Sequence, residues 1–283
     1  MTLTRVFVVT GANKGIGKSI VKLLLQDKEE KIVYLTARSE ELGQKAVKEL
    51  EQNGLKPKFH QLDLTDQHSI ESLRDYLQKE HAGLDVLVNN AGMAYKGSST
   101  VPFAEQAEVT NNCNFFGTLN VCDALFPLLR KNARVVHVSS MASEYAYKKL
   151  SPEMKQKFTD ENLSIEGLKE LINTFVQSAK DNQATERGFP QSAYGMSKLG
   201  ETVMTMIQQK HFDATQPEKN ILINSCCPGL VDTDMTGGKY PNPLPVDEGA
   251  DTPTFLALIP VDAKEPRGKF CKLRKVCPFP PSS

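Results

Sequence analysis

Short apolar runs alternate along the chain with longer stretches in which an apolar residue recurs every three or four positions. Residues 5–10 (RVFVVT) predict a strand, and Ile16, Ile20, Leu23 and Leu24 give residues 16–26 the period of a helix. The alternation then repeats. Residues 31–37 (KIVYLTA) predict a strand and 40–52 a helix. Residues 58–62 predict a third strand, and Asp66 stands as the N-cap of a helix running to about residue 79. Further strands are expected at 84–88, 134–139 and 221–226, with a last one beginning in 268–270. Phe115, Leu119, Cys122, Leu125 and Leu129 mark one long helix over 109–129. Strand–helix alternation predicts a parallel sheet covered by helices on both faces. The unbroken apolar runs VFVV and VLV fit strands buried on both sides. The expected fold is therefore α/β: one doubly wound Rossmann-like domain spanning residues 1–283, with a mostly parallel seven-stranded sheet. No internal repeat or linker divides it, and the proline-rich end, 278–283, is expected to fray.

Composition narrows the function classes. Thirty-four Lys and Arg balance thirty-four Asp and Glu, so no basic surface for nucleic acid or anionic membrane is expected. No apolar run reaches the eighteen or so residues of a membrane span. The run MTLTRVFVVTG enters an apolar strand at once, without the features of a secretory leader. The six cysteines show neither a CxxC nor a zinc spacing. Reduced thiols, no metal and a cytoplasmic location are expected.

The first chemical signal is TGANKGIG, residues 10–17, between the first strand and the first helix. Gly11, Gly15 and Gly17 permit a tight turn and a close approach of backbone to a pyrophosphate. The helix N-terminus behind them offers unpaired N–H groups to an anion. A dinucleotide site is expected, formed here by Gly11, Asn13, Lys14, Gly15, Ile16 and Gly17. An NAD site places an acidic residue at the end of the next strand, against the ribose 2′-OH. This chain has Thr36-Ala37-Arg38 there. With Lys14 in the loop and Arg38 in place of an acid, a 2′-phosphate and hence NADPH are favoured over NADH.

The second signal is YGMSK, residues 194–198. Tyr194 and Lys198 are one helical turn apart and share a face. A neighbouring ammonium favours the phenolate and lowers the tyrosine pKa. Taken alone, the pair reads more readily as an exposed aromatic beside a surface lysine.

Set in order, TGANKGIG, Asp63, NNAG (89–92), Asn114, the serine after VVHVS, YGMSK and CPGLVDTDM (227–235) resemble the short-chain dehydrogenase/reductase family over nearly the whole chain. NKGIGKSIV, FHQLDLTD, LDVLVNNAG and NFFGT narrow the resemblance to its monomeric NADPH-dependent carbonyl reductases. That resemblance implies that Tyr194 protonates the carbonyl oxygen and that Lys198 lowers its pKa and holds the nicotinamide ribose. It implies that Ser140 hydrogen-bonds the substrate oxygen while Ser139 is structural, and that Asn114 anchors the lysine through a water. Asp63 and Leu64 would hold adenine, Asn90, Ala91 and Gly92 the middle of the cofactor, and Val231, Asp232 and Thr233 its nicotinamide end.

Residues 141–193 separate Ser140 from Tyr194, far more than in tetrameric members of the family. Ile165, Leu168, Leu171, Ile172 and Phe175 give this insertion an amphipathic helix, and residues 151–158 a shorter one. The resemblance implies that it covers the surface tetramers use, so a monomer is expected. The substrate would lie among Ser140, Met141, Leu230 and Met235, an adaptable apolar lining suited to quinones, aldehydes and ketones. Leu230 stands where similar enzymes often carry tryptophan, and the chain has no Trp. The resemblance also suggests a surface for glutathione conjugates near Tyr95, Gln106 and Ala193, and places Cys227 close to the pocket. Two other readings are an NADP-dependent dehydrogenase of steroid, prostaglandin or retinoid alcohols and a catalytically silent NADPH-binding regulator. The full set Asn114, Ser140, Tyr194 and Lys198 argues against the regulator.

Overall fold

A computed structural model describes residues 4–237 and 241–281 of the 283-residue chain. The first half alternates strictly: β1 (Arg5–Val9), α1 (Gly15–Gln26), β2 (Lys31–Ala37), α2 (Glu40–Glu51), β3 (Lys58–Gln61), α3 (Gln67–His81) and β4 (Leu84–Asn89). Then come α4 (Phe103–Asn111), α5 (Thr118–Leu125), β5 (Leu129–Val138), α6 (Ala142–Lys149), α7 (Pro152–Phe158), α8 (Ile165–Lys180) and α9 (Ala193–Thr215). The chain continues through β6 (Leu222–Cys227), α10 (Val246–Gly249), α11 (Asp251–Ala257), β7 (Phe270–Lys272) and β8 (Lys275–Cys277).

The strands form one sheet in the order β3-β2-β1-β4-β5-β6-β7-β8, parallel throughout except for β8. The winding reverses between β1 and β4, so their C-terminal ends open a crevice there, the usual ligand position of such sheets. Both faces of β1 are covered. Phe7 and Val9 pack with Ile20 and Leu24 of α1, while Val6 and Val8 pack with Leu73 of α3 and Leu125 of α5. That double burial is why VFVV reads as a continuous apolar run.

The sheet has eight strands rather than the expected seven. Among the described residues the additional one is β8, a hairpin partner of β7 turned by Leu273 and Arg274, both with positive φ (50° and 60°). Two-residue hairpin turns of this kind favour Asn or Gly, and neither is present, so the turn left no mark in the sequence. The expected helix over 109–129 is also corrected. Helix α4 begins at Phe103, a π-helical turn occupies Asn112–Gly117, and α5 ends at Leu125. Leu129 belongs to β5, because the apolar spacing runs without a break from one buried element into the next. The C-terminal end docks: Phe279 packs on Tyr147, with ring centroids 5.7 Å apart, and only residues 282–283 of the tail expected to fray lie outside the described residues.

The insertion is helical, as expected, and has a core of its own. Leu150, Phe158, Leu168, Ile172 and Phe175 pack with Phe115 and with Met196, Leu199 and Met204 of α9. Helices α7 and α8 start on serine caps: Ser151 Oγ accepts from Met154 N–H and Ser164 Oγ from Gly167 N–H. On the far side of the sheet, Arg134 is fully buried, with no carboxylate partner among the described residues. Its guanidinium donates to the carbonyls of Ala133, Asn220, Ile259 and Pro260 and fastens the segment after α11 to β5.

Candidate active site

The glycine loop lies where β1 ends at the switch point. Gly11 (φ +61°) and Gly15 (φ +52°) hold left-handed conformations that glycine adopts without cost. A Cβ on Gly17 would lie 2.5 Å from Asn90 Nδ2, so no side chain fits at that helix start. The first turn of α1 has no side-chain cap, which leaves its N–H groups available to an anion. The loop is stitched to the segment after β4. Thr10 Oγ1 accepts from the N–H groups of Asn90 and Ala91, and Asn90 Nδ2 donates to the carbonyls of Thr10 and Gly11. The Asn90 side chain is therefore committed to holding two loops together. These glycines, the uncapped helix and the crevice above them fit a dinucleotide.

Along the rest of that crevice, Asp63 Oδ1 accepts from the backbone and hydroxyl of Thr65, fixing the turn that carries Leu64. Ile16 packs against the core, and Asn13 lies on the glycine loop. Arg38 is exposed at the end of β2, with no carboxylate partner among the described residues. Lys14 is not free in the same way: its ammonium pairs with Asp234, 2.6 Å away on the loop after β6. A 2′-phosphate would compete with that exposed pair. The same loop brings Thr233 Cγ2 to within 3.6 Å of where a Gly15 Cβ would stand. Val231 is buried against Gly249, and Asp232 N–H donates to Leu244 O.

At the other end, α9 starts on Ser192, whose Oγ accepts from Gly195 N–H. This helix carries Tyr194 and Lys198 on one face, with the ammonium 5.7 Å from the phenol ring centroid. Ser140 ends the turn after β5, and its hydroxyl faces the phenol and favours its ionised form. Ser140 Oγ also accepts from Ala142 N–H. The neighbouring Ser139 points the other way, donating to Lys198 O beside Thr202. Asn114, fully buried on the π-helical turn, accepts from Met93 N–H and donates to Met93 O and to Ser197 Oγ. It fixes the segment after NNAG to α9 and makes no direct bond to Lys198.

One electrostatic expectation reverses. Burial pushes the Tyr194 phenol above its ordinary value, against the opposing pull of Lys198 and Ser140. A smaller push in the same direction comes from a residue the sequence gave no cause to single out. Glu201, one turn beyond Lys198 on α9, is buried and accepts from Lys198 Nζ through both carboxylate oxygens, each at 2.9 Å. An acid three residues from a lysine reads as an ordinary surface pair; the burial of both groups was not visible in the spacing.

The apolar wall is partly uncovered. Leu230 and Met235 are about two-fifths exposed, and Met141 is half-buried. Cys227 is buried, with its sulfur accepting from Gly229 N–H, and it lies close enough to oppose ionisation of Tyr194. Tyr95 and Gln106 are half-buried, and Gln106 Nε2 donates to Val101 O. Ala193 lies within the apolar cluster of the insertion and offers little surface to a ligand. A groove of about 510 Å³ lies elsewhere, between α4 and α8, lined by Glu108, Asn112, Asn173 and Lys180 among others. It contains none of these groups.

A loop that receives a dinucleotide phosphate, opposite a phenol, a hydroxyl and a lysine at the same crevice, is an arrangement for moving a hydride and a proton. Residues 5–152 match the family model described as short chain dehydrogenase. The chain belongs to the short-chain dehydrogenase family. It is 48% identical over 274 residues to carbonyl reductase (NADPH) 1 of Mus musculus, covering 97% of this chain and 98% of that one. It is also 48% identical over 271 residues to the Homo sapiens protein of the same name, covering 96% and 97%. Among solved structures, salutaridine reductase from Papaver somniferum superposes with a TM-score of 0.82 at 31% identity, covering 94% of this chain and 99% of that one. An NADPH-bound carbonyl reductase from chicken fatty liver shares the fold, with a TM-score of 0.69 at 22% identity, over 99% of this chain and all of that one.

Proposed function

We propose that this member of the family uses NADPH to reduce carbonyl compounds to alcohols, with quinones, aldehydes and ketones as the substrate class. The observation that carries the reading is the convergence of Tyr194 and Ser140 on one side of a crevice whose other end has an uncapped helix, three glycines and Arg38. The near-full-length likeness to carbonyl reductases supports it. Gly11, Asn13, Gly15, Ile16 and Gly17 would hold the pyrophosphate, Lys14 and Arg38 the 2′-phosphate, and Asp63 and Leu64 the adenine. Asn90, Ala91 and Gly92 would line the middle, and Val231, Asp232 and Thr233 the nicotinamide end. When bound, NADPH supplies the hydride.

The residues of the chain do the rest. Ser140 Oγ–H donates to the substrate oxygen and holds it beside the phenol. Tyr194 gives that oxygen its proton as negative charge develops there, and Lys198 stabilises the tyrosinate left behind. Asn114 acts through position, keeping Met93 and α9 in register. Met141, Leu230 and Met235 exclude water and accept apolar substrates of varied outline. Tyr95 and Gln106 would extend that surface toward glutathione conjugates.

A monomer is proposed because the insertion helices spend their apolar faces on α4 and α9, and a cytoplasmic location fits six free cysteines. Light scattering on the purified protein tests the first, and a mass of two or four chains contradicts it. The function is tested by NADPH oxidation against menadione, isatin and 4-nitrobenzaldehyde, with NADH in parallel. Activity with NADPH is expected, and no oxidation with any carbonyl overturns the reading. Tyr194→Phe is expected to lower kcat by about 10²–10⁴-fold while NADPH affinity stays within severalfold. A variant that turns over normally removes Tyr194 from its role.

A further inference from the structure

The Lys198 ammonium has three N–H donors, and all are spent inside the protein. One goes to Val138 O and one to each carboxylate oxygen of Glu201, every distance being 2.9 Å. The side chains of the pair are 5% and 3% exposed. Burial pulls the Lys198 pKa down, and the Glu201 carboxylate and the Tyr194 phenol together outweigh it, so the pKa stays above the ordinary lysine value. Burial in turn raises the Glu201 pKa, opposed by Lys198.

The function proposed above asks two more things of this ammonium: a positive field at the Tyr194 phenol and a donor for the cofactor ribose. The geometry supplies neither freely, since the field is offset by a carboxylate and no N–H is unclaimed. We infer that Glu201 is a positioning residue of the reduction: its grip on Lys198 sets both the acidity of Tyr194 and the number of lysine donors that reach the cofactor.

The surroundings leave this role to Glu201. His137 on β5 is neutral, its pKa depressed to about 4 by burial. The thiols of Cys113 on the π-helical turn, Cys122 on α5 and Cys226 on β6 are all pushed up by burial. Tyr194 and Lys198 are the titratable groups nearest Glu201 on α9 itself, and Cys227 on β6 faces the phenol. Among the described residues Glu201 is the one carboxylate bonded to the ammonium.

Replacing Glu201 by Gln removes the charge and keeps the shape. One negative charge fewer beside the ammonium favours the tyrosinate, so the Tyr194 pKa moves down, by about one unit or more. A neutral amide oxygen accepts one N–H in place of two and frees a lysine donor. NADPH then binds about tenfold tighter. Glu201→Asp keeps the charge but withdraws the carboxylate by one methylene, so both changes appear in part.

The test uses the full chain in three forms, Glu, Asp and Gln at position 201. The phenol is titrated by tyrosinate absorbance, with Tyr194→Phe in each background as the blank. NADPH affinity is read by nucleotide fluorescence, and kcat/KM for carbonyl reduction is followed against pH. The expected order of the Tyr194 midpoint and of the alkaline limb is Glu highest, Asp intermediate and Gln lowest. A purely structural residue would lower the plateau without moving either midpoint, and that result overturns the inference, as does unchanged NADPH affinity. If Gln at 201 prevents folding, the Glu-to-Asp step alone must show the same direction. The absorbance and binding results need no turnover, so an inactive wild type with the expected shifts refutes the carbonyl reductase reading and leaves standing the control of Tyr194 acidity and NADPH binding by Glu201.

Discussion

Gly11→Ala would force a side chain into a close backbone approach at the glycine loop. A Cβ at this position would stand 2.7 Å from Ala91 Cα and 2.9 Å from Ala91 Cβ, where ordinary contact begins at 3.4 Å. The segment after β4 must therefore retreat by about 0.7 Å (3.4 less 2.7). Both opposing atoms belong to the backbone or its first carbon, so no rotamer absorbs the clash. The retreat stretches Ala91 N–H···Thr10 Oγ1, now 3.0 Å, beyond hydrogen-bonding range, and it strains the two bonds from Asn90 Nδ2. Alanine at φ +61° adds about 1–2 kcal/mol, and one or two lost hydrogen bonds add about 1 kcal/mol each. The sum is about 2–4 kcal/mol, which for a chain of this size lowers Tm by roughly 5–15 °C. Because the displaced backbone lines the pyrophosphate cradle, NADPH binding weakens by about 10–100-fold. Circular-dichroism melting without nucleotide and NADPH fluorescence titration measure the two effects separately. A variant that melts within about 2 °C of wild type and binds NADPH equally well would show that this close approach carries no weight.

Three further outcomes are expected. Lys14→Ala and Arg38→Ala each raise KM for NADPH by about 10–100-fold and leave KM for NADH unchanged; parallel loss with both nucleotides would remove the 2′-phosphate from their role. His137 carries a folded-state pKa of about 4 against about 6.5 unfolded. The unfolded chain therefore takes up the proton first, and stability present above pH 6.5 is lost as pH falls toward 4, by about 2–3 kcal/mol. Urea midpoints at pH 7 and pH 4.5 should differ less in His137→Gln than in wild type, and equal differences contradict the neutral buried imidazole. Arg134→Met strips donors from the carbonyls of Asn220, Ile259 and Pro260 and costs about 3 kcal/mol, read by urea denaturation. An unchanged midpoint would show that this buried guanidinium does not fasten the segment after α11.

What the sequence disclosed follows from how local each signal is. The glycine loop, the N-cap at Asp66 and the shared face of Tyr194 and Lys198 depend on neighbours within a few residues, and each was legible. The parallel sheet was legible because strands buried on both faces leave unbroken apolar runs. The β7–β8 hairpin was not, since its turn residues, Leu273 and Arg274, are not the types that positive φ selects. Leu129 continues the helical spacing of 115–125 although it lies in β5, because apolar spacing does not record where a chain passes from helix to strand. Lys14 was read toward a phosphate because its partner Asp234 is 220 residues away along the chain. Glu201 carries no mark in the sequence, because spacing alone does not distinguish a buried acid from a solvated one.

The π-helical turn at Asn112–Gly117 makes this part of the chain intolerant of changes in length. Each residue of a helix advances about 100° around the axis, and the wide turn accommodates one more than a regular coil would. Deleting a single residue there would let the backbone relax into an ordinary helix. The same deletion would leave the buried stripe of α5 in phase but rearrange the wide turn itself, swinging the amide of Asn114 away from Met93 and Ser197. Substitutions in 112–117 can be absorbed one side chain at a time, whereas a one-codon deletion would uncouple the crevice from the core in a single step.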